Sequence, residues 1–224
     1  MKKVGIIGAG AMGSGIAQVA AKAGHSVVLF DTNAEALRLS KSKLASVMDR
    51  LVEKGRLTSE KAQEIQKRIS YADHMEALSE SDIIIEAIIE NLDVKKGVFS
   101  SIESLVSKDC ILASNTSSLS IASIASACER SERVLGIHFF NPVPLMPLVE
   151  IIPAIQTADE ITDEARNIID SWKKITVLAK DTPGFIVNRV ARPFYGEAIR
   201  ILEEGIAEVA TIDWAMKEIG GFRM

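Results

Sequence analysis

Apolar runs of strand length alternate with segments whose apolar residues recur every three or four positions. The first run, Val4-Gly5-Ile6-Ile7, passes through Gly8-Ala9-Gly10-Ala11-Met12-Gly13 into helical spacing over 12–22, with Ile16, Val19 and Ala20 on one side. Gly24 stops that helix, and the apolar stretch 26–30 predicts a second strand, closed by Asp31. Residues 34–52 predict a long amphipathic helix with Leu37, Leu44, Val47 and Leu51 as its apolar side, and Gly55 ends it. Thr58 opens a shorter, charged helix to residue 67. A brief strand is expected at 69–71 and a helical turn at 73–78.

The next run, Asp82-Ile83-Ile84-Ile85-Glu86-Ala87, is apolar throughout its middle, as in a strand covered on both faces of a parallel sheet. Helices at 91–106 and 119–128 alternate with strands at 110–114 and 134–139. A bend rich in proline (Pro142, Pro144, Pro147) precedes a strand at 148–152, a helix at 162–172 and a strand at 175–179. Such alternation predicts an α/β fold, a Rossmann-like doubly wound parallel sheet. Asp181-Thr182-Pro183-Gly184 punctuates the chain, and only helices follow, at 186–204 and 211–219 with Gly205 between them. The expected division is therefore 1–182 and 183–224. The second segment, of roughly 40 residues, is too short for a core of its own.

The glycine-rich turn is a weak signal alone. Here it lies between a strand and a helix of one βαβ unit, with an acid ending the second strand, which is the dinucleotide-binding context. Gly8 suits the tight turn, Gly10 lets the backbone approach a pyrophosphate, and Gly13 lets helix and strand pack closely. The helix start, with Ala11 and Met12, offers unpaired N–H groups to phosphates. Asp31 would accept hydrogen bonds from the ribose and repel a 2′-phosphate, and neither Thr32 nor Asn33 brings positive charge. The expected cofactor is NAD rather than NADP.

Composition narrows the function further. The 224 residues are 47% hydrophobic and 25% charged, values of an ordinary globular protein. A net charge of −4 leaves no electrostatic footprint for nucleic acid or anionic membrane. No apolar run approaches the roughly 20 residues of a membrane span. Cys110 and Cys128 lack C-x-x-C spacing, so they are expected to be buried, inert thiols in a reducing compartment, and no metal site is expected.

Four polar groups fall at strand ends or beside them, where ligands bind in this architecture. Asn115-Thr116-Ser117-Ser118 follows one strand, His138 lies at the end of the next, Glu150 interrupts Leu148-Val149-Glu150-Ile151-Ile152, and Asn188 opens the long helix. A carboxylate inside an apolar strand is costly unless paired. The proline-rich turn can fold its two strands back so that His138 and Glu150 meet. Equally, Glu150 can face water on an edge while His138 bonds backbone in the core.

The run Ser114-Asn115-Thr116-Ser117-Ser118, the segment His138-Phe139-Phe140-Asn141-Pro142-Val143-Pro144, the strand Leu148-Val149-Glu150 and Asp181-Thr182-Pro183-Gly184-Phe185-Ile186-Val187-Asn188-Arg189 together resemble the 3-hydroxyacyl-CoA dehydrogenase family. Within it the chain resembles the bacterial 3-hydroxybutyryl-CoA dehydrogenase type, and the resemblance runs from Lys3 to Met224. It implies that His138 is the catalytic base, Glu150 its partner, Ser117 a substrate ligand near the nicotinamide, and Asn188 the group completing the site. It adds Glu90, Lys95, Asn115 and Asn141 to the cofactor contacts. It places Lys54, at the end of the basic helix face just past residue 52, near coenzyme A phosphates, where a solvated lysine is an equal explanation.

The implied activity is NAD-dependent oxidation of an L-3-hydroxyacyl-CoA to the 3-ketoacyl-CoA, or its reverse, in a cytoplasmic homodimer joined through the helical domain. In the family that domain continues past the equivalent of Met224, so the chain reads as C-terminally truncated. Two other functions fit the sequence. One is a hydroxyacid dehydrogenase of the L-gulonate type, from the same superfamily. The other is a catalytically idle NAD-binding fragment.

Overall fold

The computed structural model describes residues 1–222. Its first unit, Met1–Pro183, holds every strand among the described residues, and its second unit is the helical remainder. Strand β1 (Lys3–Ile7), helix α1 (Ala11–Lys22) and strand β2 (Ser26–Phe30) form the opening βαβ unit. Helices α2 (Ala34–Glu53) and α3 (Ser59–Lys67) lead to β3 (Ile69–Ala72). Strand β4 (Ile83–Glu86), helix α4 (Leu92–Glu103), strand β5 (Ile111–Ser114), helix α5 (Ile121–Ala125) and strand β6 (Val134–Phe139) continue the alternation. Strand β7 (Leu148–Pro153), helix α6 (Asp159–Ser171) and strand β8 (Ile175–Leu178) complete the unit.

The strands form one sheet in the order β3-β2-β1-β4-β5-β6-β7-β8. All neighbours are parallel except β6 and β7, which the proline-rich turn makes antiparallel. This is a Rossmann-like doubly wound sheet with two strands added at one edge. The order reverses between β1 and β4, and ligands bind at the carboxyl ends of strands around such a switch point.

Both sheet faces are buried, which explains the unbroken apolar runs. Ile83 and Ile85 of β4 join a cluster that includes Ile16 of α1, Leu37 of α2, Ile65 of α3 and Ile169 of α6. Ile84 points the other way by the strand's period of two and is equally buried. Phe99 and Ile102 of α4, and Ile121 and Ile124 of α5, are buried outside that cluster. An added Cβ on Gly136 of β6 would meet Ile121 Cδ1 at 2.8 Å, so α5 packs directly on β6.

Several helix limits differ from those the spacing predicts. Asn91 caps α4 through its side chain to the Val94 amide, so the helix begins at Leu92. Helix α5 starts later than the expected 119, at Ile121, where Asp181 takes the amides of Ile121 and Ala122, and it ends earlier than 128, at Ala125. Helix α6 begins earlier than expected, with Asp159 and Glu160 in its first turn, where negative charge suits the helix dipole.

In the second unit, α7 (Val187–Glu203) is followed by α8 (Val209–Trp214) and a π-helical turn at Ala215–Ile219.

Candidate active site

The turn between β1 and α1 is built on its glycines. Gly8 has φ +105°, and a Cβ there would lie 2.6 Å from Ala87 O. A Cβ on Gly13 would lie 1.8 Å from Gly8 O, so the helix crosses the turn at a distance that only glycine permits. Gly10 is different: a Cβ there meets nothing within 4 Å, so its backbone faces open space. Gly10 also caps α1 without a side-chain hydrogen bond, so the amides at the start of the helix, Ala11 and Met12, have no side-chain cap from it. The Met12 side chain packs on the core, so its offering to a ligand is its backbone. An uncapped helix start beside an open turn is a cradle for an anion.

Asp31, at the end of β2, holds this turn in place. Its Oδ2 accepts from the Ala9 amide at 2.7 Å and its Oδ1 from the Asn33 amide at 2.8 Å. Each oxygen retains a lone pair, and Asp31 lines a cavity of about 630 Å³ with Gly8, Gly10, Thr32 and Ile88. Among the described residues no Lys or Arg lines that cavity, so these residues offer a 2′-phosphate no counter-charge. The donors, the open glycine and the carboxylate fit a dinucleotide with a free ribose.

On the other side of Gly10 a second cavity, of about 620 Å³, runs between α1, α2 and the turn after β6. Asn141, Ala11, Lys43 and Arg50 are among its lining residues. Lys54 is the C-cap residue of α2, exposed, and outside that lining.

The antiparallel pairing of β6 and β7 resolves the two arrangements left open by the sequence. His138 and Glu150 stand directly opposite each other in register. Glu150 Oε2 lies 2.7 Å from His138 Nδ1, with the Glu150 side chain 0% and the His138 side chain 4% exposed. Glu150 is thus a buried partner and not a solvated edge residue. A carboxylate at Nδ1 fixes the neutral tautomer with its proton on Nδ1, leaving Nε2 as the basic nitrogen. Nε2 lies 3.0 Å from Ser117 Oγ. Phe140 packs edge-on against the imidazole, with ring centroids 4.6 Å apart.

The turn that carries Ser117 is anchored from below. Asn115 Oδ1 accepts from the Phe139 amide at 2.8 Å, tying the end of β5 to the end of β6. Glu90 Oε1 accepts from the Thr116 hydroxyl and from the amides of Ser117 (2.9 Å) and Ser118 (3.2 Å). Burial pushes the Glu90 carboxyl up, but the Thr116 hydroxyl, the Ser117 amide, the Lys95 charge and Ser118 together outweigh it. The group is held below the usual glutamate value.

Lys95, expected at the cofactor, is only 1% exposed and donates to Glu86 Oε1 at 2.6 Å. Asn188 occupies the first turn of α7, in the second unit.

Glu86, Ser114, Thr116 and Asp181 belong to this architecture but do not stand out in the sequence as site residues. Glu86 carried a signal, because it ends the run Ile83-Ile84-Ile85 just as Glu150 interrupts its own strand.

A doubly wound sheet, a glycine cradle closed by an acid, and a histidine set between a buried carboxylate and a serine define an NAD-binding oxidoreductase. The family description "3-hydroxyacyl-CoA dehydrogenase, NAD binding domain" matches residues 3–182, and "3-hydroxyacyl-CoA dehydrogenase, C-terminal domain" matches 184–224. The chain belongs to the 3-hydroxyacyl-CoA dehydrogenase family, whose members are NAD-dependent oxidoreductases.

It is 43% identical to the 3-hydroxyadipyl-CoA dehydrogenase of Escherichia coli K12, over 100% of this chain and 47% of that protein. It therefore spans about half the length of that relative. Identity to the 3-hydroxybutyryl-CoA dehydrogenase of Bradyrhizobium diazoefficiens is 42%, over 97% of this chain and 74% of the other. The crystal structure of (S)-3-hydroxybutyryl-CoA dehydrogenase from Ralstonia eutropha superposes with a TM-score of 0.96 at 39% identity, covering 99% of this chain and 78% of that one.

Proposed function

We propose that the protein oxidises an L-3-hydroxyacyl-CoA, 3-hydroxybutyryl-CoA above all, to the 3-ketoacyl-CoA with NAD, or runs the reverse reaction. The observation that carries this is the hydrogen-bonded line from Ser117 Oγ through the His138 ring to Glu150. Bound NAD supplies the hydride acceptor for C3 of the substrate. His138 Nε2 takes the proton of the 3-hydroxyl as general base. Glu150 holds the ring in the tautomer that keeps Nε2 free of a proton, then stabilises the imidazolium. Ser117 hands its place at Nε2 to the substrate oxygen and hydrogen-bonds that oxygen. In the reverse direction the imidazolium returns the proton to the same oxygen.

Gly8, Gly10, Ala11, Met12 and Gly13 hold the pyrophosphate, and Asp31 holds the adenosine ribose. Glu90, Asn115 and Asn141 shape the nicotinamide end, with Lys95 supporting it from beneath. Asn188 is assigned to the substrate by its motif. The groove along α2, with Lys43 and Arg50 in its lining and Lys54 beyond, suits the phosphates and pantetheine of coenzyme A. We assign residues 1–182 to cofactor binding and 183–224 to the start of the helical domain that makes the homodimer. The 3-hydroxybutyryl-CoA dehydrogenase names of the Bradyrhizobium and Ralstonia relatives support this substrate class. A cytoplasmic location accords with free, buried Cys110 and Cys128, and no helix among the described residues is long and apolar enough to cross a membrane.

The test is NADH formation by the full-length protein from L-3-hydroxybutyryl-CoA, from free 3-hydroxybutyrate and from L-gulonate. Turnover confined to the thioester is the expected result. Preference for a free acid, or binding of NADH without turnover of any of the three, would sink the assignment.

A further inference from the structure

Next to the Ser117 turn lies a buried ion pair, Glu86 with Lys95, which the proton transfer does not use. Glu86 ends β4 with its side chain 0% exposed, and Lys95 on α4 is 1% exposed. Taking two charges out of water is costly, and an apolar pair of similar volume would serve the fold as well. The pair therefore calls for a reason.

Its bonds point to one. Glu86 Oε1 takes the Lys95 ammonium at 2.6 Å and the Ile88 amide at 2.7 Å. Its Oε2 takes the Ser114 hydroxyl at 2.7 Å, and the Ser114 oxygen in turn accepts the Thr116 amide at 3.2 Å. Lys95 also lies 3.5 Å from Glu90 Oε2. Glu90 Oε1 then gathers the Thr116 hydroxyl and the amides of Ser117 and Ser118. Two routes leave one carboxylate and converge on the same turn. From that turn the Ser117 hydroxyl reaches His138 Nε2 at 3.0 Å.

We propose that Glu86 and Lys95 are a positioning pair, whose buried contact fixes the turn that presents the Ser117 hydroxyl to His138. This rests on the reading of His138 as the base. Neither residue touches the reacting atoms; both act through Glu90, Ser114 and the turn. The two routes hold the turn at different points, Ser114 at the Thr116 amide and Glu90 at the Ser117 and Ser118 amides.

Glu86→Gln keeps the shape and an acceptor for Ser114 while removing the charge that holds Lys95. In the full-length protein, kcat with NAD and 3-hydroxybutyryl-CoA is expected to fall by roughly tenfold to a hundredfold, as for displacement of a positioned group by about 1 Å. KM for both is expected to stay within about twofold, since a loss confined to kcat marks an interaction of the transition state. The His138 ring resonances, followed by NMR without substrate, are expected to move in the direction produced by Ser117→Ala. If Glu86→Gln does not fold, the double substitution Glu86→Gln with Lys95→Met, which leaves no lone buried charge, is read by the same two measurements. A native kcat, or His138 resonances that stay in place, overturns the positioning pair. If the unmodified protein does not turn over 3-hydroxybutyryl-CoA, the substrate reading fails and the resonances alone decide the pair.

Discussion

A carboxylate with none of its side chain in water needs donors, and Glu150 has the His138 ring at 2.7 Å. That short contact makes the histidine and glutamate one unit, and a substitution in either should report on both. His138→Gln is expected to lower kcat by roughly 10²–10⁴-fold, the range of a positioned acid–base group. NADH affinity should hold, because the Gly8–Gly13 turn is built independently of β6. Glu150→Gln should also lower kcat and shift the pH–rate profile, and the two losses should not add in the double mutant. A Glu150→Gln enzyme with native rate and native profile would remove the carboxylate from the mechanism.

Asp31 is a second case in which the geometry dictates the experiment. Its carboxylate holds the Ala9 amide, so truncation to Ala would loosen the turn as well as remove the charge. Asp31→Asn keeps an acceptor for that amide. NADH binding should weaken by about 1.5–3 kcal/mol, the value of a hydrogen bond to a charged group, and the gap to NADPH should narrow. NADPH binding as tightly as NADH to the unmodified protein, measured by fluorescence titration, would refute the assignment.

Glu90 adds a pH dependence of known sign. Its carboxyl is held below the usual value, so the folded chain binds that proton less tightly than the unfolded chain. Its contribution is complete above the ordinary glutamate pKa of about 4.3 and is lost as pH falls through the lowered value. Glu90→Gln should flatten that part of the acid unfolding curve, followed by circular dichroism.

At the scale of elements, short α5 shows how a distant residue sets a local boundary. Asp181 accepts from the Ser120 hydroxyl and from the Ile121 and Ala122 amides, so the segment after β8 caps a helix that follows β5. Asp181→Ala should cost about 1–2 kcal/mol, as for loss of a strong N-cap, seen as a lower Tm. An unchanged Tm would mean that water replaces the cap without loss.

The same contact explains why the start of α5 was not legible, although the helix itself was: nothing between residues 119 and 128 says where Asp181 will lie. By contrast, the opening βαβ unit was legible because its signals are local, a strand, a glycine turn and a closing acid. The strands were legible because burial on both faces leaves unbroken apolar runs such as Ile83-Ile84-Ile85. The His138–Glu150 pair was only half legible. The residue types pointed to it, but the choice between partner and edge residue required the register of β6 against β7. Glu86 escaped notice because the resemblance assigns its partner, Lys95, to the cofactor and not to a buried carboxylate.

For the whole molecule the open question is what covers the helical segment. None of the residues of α7 is buried, and Val190 is 70%, Ile199 55% and Leu202 44% exposed. In α8 and beyond, Val209 at 57% and Trp214 at 56% continue the pattern. Exposed apolar residues repeated along a helix suit an interaction face, and the homodimer proposed above supplies a partner of the same kind. Light scattering should therefore give a mass of twice the monomer or more at micromolar concentration. Val190→Asp together with Ile199→Asp should shift that mass toward one chain. NADH binding should persist in the charged variant, because the glycine turn, Asp31 and the Ser117–His138–Glu150 line all lie within residues 1–183. A single-chain mass for the unmodified protein at high concentration would defeat the dimer proposal. So would an unchanged mass in the doubly charged variant, which would mean that association uses a surface other than α7.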